Sequence, residues 1–379
     1  MALVLLFILG TIRALYSSSP VVAASSSQVR ATRRPLSAEQ QQQQQPEIFS
    51  FDPGSLDPIE QSKPRMEALM NRTMSLGPKI SDWDSRRSSR RRKIKQCEKR
   101  MMLVTSSHPK PCENPLGDHI MLKSAKNKMD YCRLHGIDMF YNVAKLERSL
   151  PGFWIKIPLL RAVMLSHPEF EWILWMDGDA LFTDMTFRIP IRKYEGYNLV
   201  MNGWDHLVYG NRSWTGLNMG IFLIRNCQWS LDLLDILAQM GSDGPGSVGI
   251  GKILHVTLFG RPDLESDDQG ALLWLMNAQR ERWGAKIFLE HSYALSGFWV
   301  PLVRELEDKM RRFEPGLGDD RWPFVTHFAG CEFCEGWANY SPQDCRRQME
   351  RAFNFGDNQV LEMYGFRHPS LNVADVDRT

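Results

Sequence analysis

From residue 101 onward, short apolar runs alternate with longer stretches whose apolar positions recur at helical spacing. Met101 to Thr105 reads as a buried strand that gives way to a polar loop, Ser106-Ser107-His108-Pro109. Asn114-Pro115 opens a helix that runs to about Leu134 and stops at Gly136. Ile137 to Tyr141 predicts a second strand, Phe153 to Leu165 a second helix, and Glu171 to Met176, an apolar run rich in Ile and Trp, a third, buried strand. Tyr197 to Asn202 and Gly216 to Arg225 are strand-like, and Trp229 to Met240 is an amphipathic helix. The Gly- and Pro-rich stretch from Gly241 to Gly251 reads as a loop; it lacks the Lys-Ser/Thr ending of a phosphate-binding P-loop. A turn-rich loop spans Pro315 to Pro323, Phe324 to Gly330 is a last strand, and Cys345 to Tyr364 a closing helix. Strands alternating with helices imply an α/β architecture built on a mostly parallel sheet.

The first hundred residues have a different pattern. Ala2 to Ile12 is apolar, Arg13 interrupts it, and Val21 to Ala24 resumes it, so residues 1–24 read as a signal peptide or a short signal-anchor. Residues 25–98 are rich in Ser, Gln, Pro and Arg, including the basic run Arg86 to Lys93, and predict a disordered linker. The folded domain is expected over 99–379. Sequons at Asn71, Asn211 and Asn339 fit a secretory route, although Pro342 directly follows the last one.

Charge removes one class of partner. Lys and Arg number 46 against 44 Asp and Glu, so nothing points to nucleic acid. Seven Cys leave at least one unpaired within the chain; Cys331-Glu-Phe-Cys334 has the spacing of half a zinc site, but no second Cys-x-x-Cys follows, which favours disulfides or ordinary buried thiols.

The chemistry concentrates where the third strand ends. Asp177-Gly178-Asp179 puts two carboxylates one residue apart at the carboxyl end of a buried strand, where open α/β sheets bind ligands. Two such charges side by side call for a cation, and oxygen ligands suit Mg²⁺ or Mn²⁺. A solvated acidic turn is the plainer alternative. A phosphatase with an aspartyl nucleophile would have Thr or Val at position 181, where this chain has Leu. A second acidic cluster, Asp267-Asp268-Gln269, follows Ser266; Ser266 with Gln269 forms a capping box at a helix start and leaves one of the two Asp free to face a pocket. His327 ends the last strand and is a candidate ligand.

These blocks occur in a familiar order. With Asn114-Pro-Leu-Gly-Asp118, Trp172 to Asp184, Asn226 to Asp235, Asp267-Asp-Gln269, Pro315-Gly-Leu-Gly-Asp319, Arg321 to Phe328 and Arg351 to Gln359, the chain from about Met101 to Phe366 resembles the plant xyloglucan xylosyltransferases and galactomannan galactosyltransferases, relatives of yeast Golgi mannosyltransferases. The resemblance implies a GT-A type nucleotide-sugar-binding fold, with a mixed, mostly parallel sheet flanked by helices. It also implies a metal-dependent, retaining transfer of xylose or galactose from UDP-xylose or UDP-galactose to a β-glucan or mannan backbone, on the lumenal side of a single-pass type II protein of the Golgi membrane.

By that resemblance Asp177, Asp179 and His327 hold the metal, Mn²⁺ or Mg²⁺. Thr105, Ser106 and Ser107 face the nucleotide, Lys156 lies near the phosphates, and Asp267, Asp268 and Gln269 stand beside the anomeric carbon and the acceptor. Three departures stand out. Glu332 replaces a Lys expected near the diphosphate, Gly178 replaces a Ser, and the stretch 241–251 lacks the family's charged pattern. Glu332 motivates an alternative, a catalytically weak subunit that pairs with itself or with active relatives in a Golgi complex. Asn202-Gly-Trp204 and Tyr209 resemble the galactomannan branch more than the xyloglucan one.

Overall fold

The computed structural model describes residues 57–93, 101–150, 152–334 and 339–379. The apolar segment 1–24, the linker up to residue 56 and Cys97 lie outside the described residues. The strands in chain order are β1 (Met101–Ser106), β2 (Asp138–Asn142), β3 (Trp172–Met176), β4 (Ala180–Phe182), β5 (Leu199–Gly203), β6 (Leu217–Arg225), β7 (Ile287–Glu290), β8 (Gly297–Phe298), β9 (Val325–His327), β10 (Phe366–Arg367) and β11 (Asp377–Arg378). The α-helices are α1 (Pro58–Leu69), α2 (Trp83–Lys93), α3 (Pro115–His135), α4 (Lys156–Ser166), α5 (Gln228–Gly241), α6 (Pro245–Thr257), α7 (Asp268–Ala278), α8 (Trp299–Leu302), α9 (Leu306–Arg312) and α10 (Pro342–Leu361).

The central sheet has the order β2-β1-β3-β6-β5-β7. β1 is parallel to β2 and β3, and β5 to β7, whereas β6 runs against both of its neighbours. This is the mixed, mostly parallel α/β sheet expected from the sequence. Five strands thus end at one edge, and β6, being reversed, brings its first residues to that same edge. β3 is buried along its length. Ile173 and Trp175 face the core under α4, α5 and α7; Trp172, Leu174 and Met176 face the core on the other side, with Tyr131 and Phe324. A second, three-stranded sheet, β4-β9-β8, lies beyond the end of β3 and sets Ala180 opposite His327.

Three expectations need correction. First, residues 57–93 are an ordered strap instead of disordered linker. Ile59, Met66 and Trp83 are buried, α1 packs on α6 and α7, and the Trp274 indole donates to Ser62 Oγ at 3.0 Å. Arg87, from the basic run, donates to the carbonyls of Pro168, Phe170 and Asn226. The composition is polar, but a few large apolar anchors and one buried guanidinium suffice to hold it down.

Second, the stretch 241–251 is mostly helical. Pro245 starts α6, and Ile250, Ile253 and Leu254 form its buried stripe. Its glycines admit α1: a Cβ at Gly249 would lie 2.9 Å from Leu69 methyls, and one at Gly246 would lie 2.8 Å from Leu69 O. Third, the cap of α7 is Asp267, which accepts from Gly270 N–H at 2.6 Å; Ser266 does not perform it. The cysteines, by contrast, follow the expected reading of disulfides and buried thiols, not half a zinc site. Cys331 is bonded to Cys345 and Cys334 to Cys112, while Cys132 and Cys227 are buried thiols.

Candidate active site

Where β3 ends, the chain turns sharply, and three contacts fix the turn. Asp177 N–H donates to Gly220 O at 2.9 Å, Phe328 N–H to Asp179 O at 3.0 Å, and Ser124 Oγ to Gly178 O at 2.6 Å. The start of β6, the end of β9 and the inner face of α3 therefore all hold the Asp-Gly-Asp loop. Among the described residues, one group of three side chains could ligate a metal: Asp177, Asp179 and His327, whose ligand atoms lie within 4.8 Å of one another. His327 Nε2 is 3.3 Å from Asp179 Oδ1.

The second ring nitrogen defines the tautomer. Asn218 Oδ1 accepts from Gly220 N–H at 2.9 Å and from Ser296 Oγ at 2.8 Å. With its proton spent there, Ser296 Oγ can only accept from His327 Nδ1, 3.2 Å away. The neutral imidazole then presents the Nε2 lone pair to the carboxylates, as a metal ligand must. Burial raises the Asp177 carboxyl, with Lys156 opposing. Burial also works against the charges of Asp179 and His327, but their mutual attraction prevails, holding the Asp179 carboxyl below the carboxylate range and the His327 ring above its ordinary value. Two carboxylates and one imidazole fit a hard divalent ion with positions left for phosphate oxygens.

Lys156, at the start of α4, links the two acidic clusters. Its buried Nζ donates to Met219 O at 2.9 Å, lies 2.9 Å from Asp268 Oδ2 and 3.6 Å from Asp177 Oδ1. Burial opposes the Lys156 charge, yet the carboxylates raise its pKa. Burial pushes Asp268 up to about 6, against the pull of Lys156. Asp267 is fully committed: besides capping α7, it accepts from Arg261 Nε at 2.7 Å and from the Trp214 indole at 3.1 Å. Gln269 is tied by both ends of its amide, to Trp214 O at 2.7 Å and Met219 N–H at 3.3 Å. Thr105 and Ser106 are buried at the end of β1, and Ser107 N–H donates to Asn142 O. Among the described residues the buried Thr105 hydroxyl has no hydrogen-bond partner.

Residues 97–338 match the model of a protein family described as the galactosyl transferase GMA12/MNN10 family. The chain belongs to this family. Probable xyloglucan 6-xylosyltransferase 1 of Oryza sativa subsp. indica is 53% identical over 311 residues, 80% of this chain and 69% of that protein. Xyloglucan 6-xylosyltransferase 1 of Arabidopsis thaliana is 50% identical over 337 residues, 87% of this chain and 73% of that protein. Among solved structures, a glycosyltransferase involved in glycosylation of the major capsid of PBCV-1 aligns with 66% of this chain and 98% of its own, at 14% identity and a TM-score of 0.42. The galactosyltransferase LgtC aligns with 68% and 95%, at 13% identity and a TM-score of 0.36. The two plant relatives carry xyloglucan names, against the leaning of residues 202–204 and 209.

Within this glycosyltransferase family the departure at Glu332 acquires a location. Burial raises its carboxyl, the charge of Asp179 adds to that, and His108 opposes it, so Glu332 stands within electrostatic reach of Asp179. The sequons lie at the surface: Asn71 is half-buried just after α1, and Asn211 and Asn339 are exposed.

Sequence reading missed several residues that build the site. A Cβ at Gly220 would stand 2.2 Å from His327 Cε1, so only glycine leaves room for the ring; a lone glycine inside an apolar strand was the available signal. Nothing in the sequence marks Asn218 or Ser296. Lys128 is buried in α3, donating to Ala180 O at 2.7 Å and Ser124 Oγ at 2.5 Å beneath the Asp-Gly-Asp loop. Burial lowers its amine to about 7 against the pull of Asp179 and Asp177.

Proposed function

We propose that the chain transfers xylose from UDP-xylose to the β-glucan backbone of xyloglucan with retention of configuration, in the Golgi lumen. The observation that carries this reading is the convergence of Asp177, Asp179 and His327 with the Lys156–Asp268 pair at one sheet edge. Similarity to the plant xylosyltransferases supports the choice of sugar and backbone. When bound, Mn²⁺ or Mg²⁺ supplies positive charge against the leaving diphosphate. Asp177, Asp179 and His327 are the residues to hold it, with Ser296 keeping the imidazole in the ligating tautomer. The unpartnered Thr105 hydroxyl, with Ser106 and Ser107, suits the nucleotide.

Asp268, at about 6, is poised near neutrality to accept a hydrogen bond from the acceptor hydroxyl. Gln269, clamped by the backbone at both ends of its amide, suits stabilising positive charge on the sugar and is a poor nucleophile. The two disulfides fit folding in an oxidising lumen, and residues 1–24 would supply the type II anchor. The decisive experiment incubates the full chain with Mn²⁺, cellohexaose and either UDP-xylose or UDP-galactose. An α-xylosylated product supports the reading; binding of both donors without product from either overturns it.

Glu332 favours a second reading, a weakly active subunit that supports related transferases in a complex. A carboxylate near the ligands repels a diphosphate through electrostatic interactions of a few kcal/mol at protein surfaces. On this reading Glu332→Lys tightens UDP binding at least tenfold and raises turnover. Unchanged UDP affinity in a titration would remove it.

A further inference from the structure

The small sheet carries more than a metal ligand. Phe298 pairs in register with His327 across the parallel β8–β9 contact. Residues paired in this way project from the same face of a sheet. Ser296, two residues earlier and so on the same face, agrees with this, because its hydroxyl lies 3.2 Å from the His327 ring. Phe298 is therefore on the ligand side, and it is 45% exposed while Ser296 and Trp299 on either side are buried.

The ring is firmly mounted. Gly297 lets β8 lie flush on β9: a Cβ there would meet Val325 O at 2.7 Å and a Leu302 methyl at 2.5 Å. The Tyr340 ring lies 6.4 Å from that of Phe298 and packs edge-on to Trp299 at 5.1 Å. Trp299 in turn stacks on Phe328 at 5.5 Å. Asn339 N–H donates to Gly330 O, which anchors Tyr340 at this rim. A large apolar side chain exposed on a rigid aromatic base, one strand from a metal ligand, has no role in the core.

We propose that Phe298, with Tyr340 at its edge, is the platform on which the glucan acceptor lies, an assignment that rests on the transferase reading above. The strand spacing sets Phe298 roughly 5 Å from His327 along the sheet, close enough for the sugar that accepts the transfer or its neighbour. In a β-1,4-linked glucan every ring substituent is equatorial, so each sugar face offers only C–H bonds. Such a face lies flat on the electron-rich face of an aromatic ring. Mannose carries an axial 2-hydroxyl that projects from one face, so a mannan sits less well. The occupant is thus an unsubstituted stretch of β-1,4-glucan.

The test is direct binding, independent of turnover. Cellohexaose is titrated into the full chain with Mn²⁺ and UDP by calorimetry, for the wild type, Phe298→Ala and Phe298→Tyr. Phe298→Ala is expected to weaken cellohexaose binding at least tenfold, Phe298→Tyr to stay within about twofold, and both to keep the wild-type UDP affinity and melting temperature. Mannohexaose is expected to bind at least tenfold more weakly than cellohexaose. Equal cellohexaose affinity in Phe298→Ala overturns the platform. Loss of UDP affinity alongside glucan affinity also overturns it, because the residue would then act through His327. Mannohexaose binding as tight as cellohexaose overturns the choice of glucan. Phe298-dependent glucan binding in a protein that consumes no UDP-sugar overturns the transferase reading and leaves the platform standing; xylosyl transfer unaffected by Phe298→Ala does the reverse.

Discussion

Gly220 decides where the His327 ring can sit. Adding a single methyl there would place carbon 2.2 Å from the imidazole, and neither β6 nor β9 can retreat from a central and a flanking sheet. Gly220→Ala is expected to leave the fold intact but to weaken Mn²⁺ binding more than tenfold, read by metal titration, with turnover falling in proportion. Lys128 gives a different kind of prediction. Its amine titrates at about 7 in the folded protein and near 10.5 when unfolded. Between these values the unfolded chain binds the extra proton, so stability rises with pH. In the presence of a chelator, the unfolding free energy from urea titrations is expected to climb from pH 7 to 8.5 by up to about 1.4 kcal/mol per pH unit. Lys128→Met is expected to flatten that climb; an unchanged slope would assign it to another group. At this scale, the residues legible in the sequence were those whose chemistry is unusual: paired Asp, a strand-end His and a second acidic cluster. Gly220 acts by leaving space, for which a glycine inside an apolar strand is the one signal, whereas Asn218 and Ser296 act by fixing a proton, which residue type does not show.

At the level of elements, the helices and strands of the central sheet were legible because each has one buried face and a clear stop, such as Gly136 after α3, at φ 63°. The strap and α6 were not. The polar composition of residues 57–93 hides Trp83, whose indole lies buried and donates to Asn226 Oδ1 at 2.7 Å. Asn226 itself donates to Met164 O, so the strap, α4 and the end of β6 are joined at one amide. Trp83→Ala is expected to cost about 3–5 kcal/mol in urea unfolding, the usual range for emptying a buried tryptophan site. UDP affinity of the protein that remains folded should be unchanged, since Trp83 contacts none of the site residues. A change below 1 kcal/mol would mean that the strap adds little. α6 is obscured for the opposite reason: its glycines predict a loop, but they let two helix backbones approach each other.

For the whole molecule, the α/β class, the mostly parallel sheet and the family were readable, because ordered blocks of residues recur along the folded part of the chain. The pairing of the cysteines was not, since seven thiols permit many pairings and spacing does not choose among them. What the structure adds is a covalent link between the loop after β1 and the segment after β9, across a sequence separation of 222. Topologically, everything from Cys112 to Cys334 is a closed ring, and the exposed surface run 262–265 lies on it. A protease that nicks this run should therefore yield two polypeptides that migrate as one band on a denaturing gel and separate only after reductant is added, whereas in Cys112→Ser the same cut should release them at once.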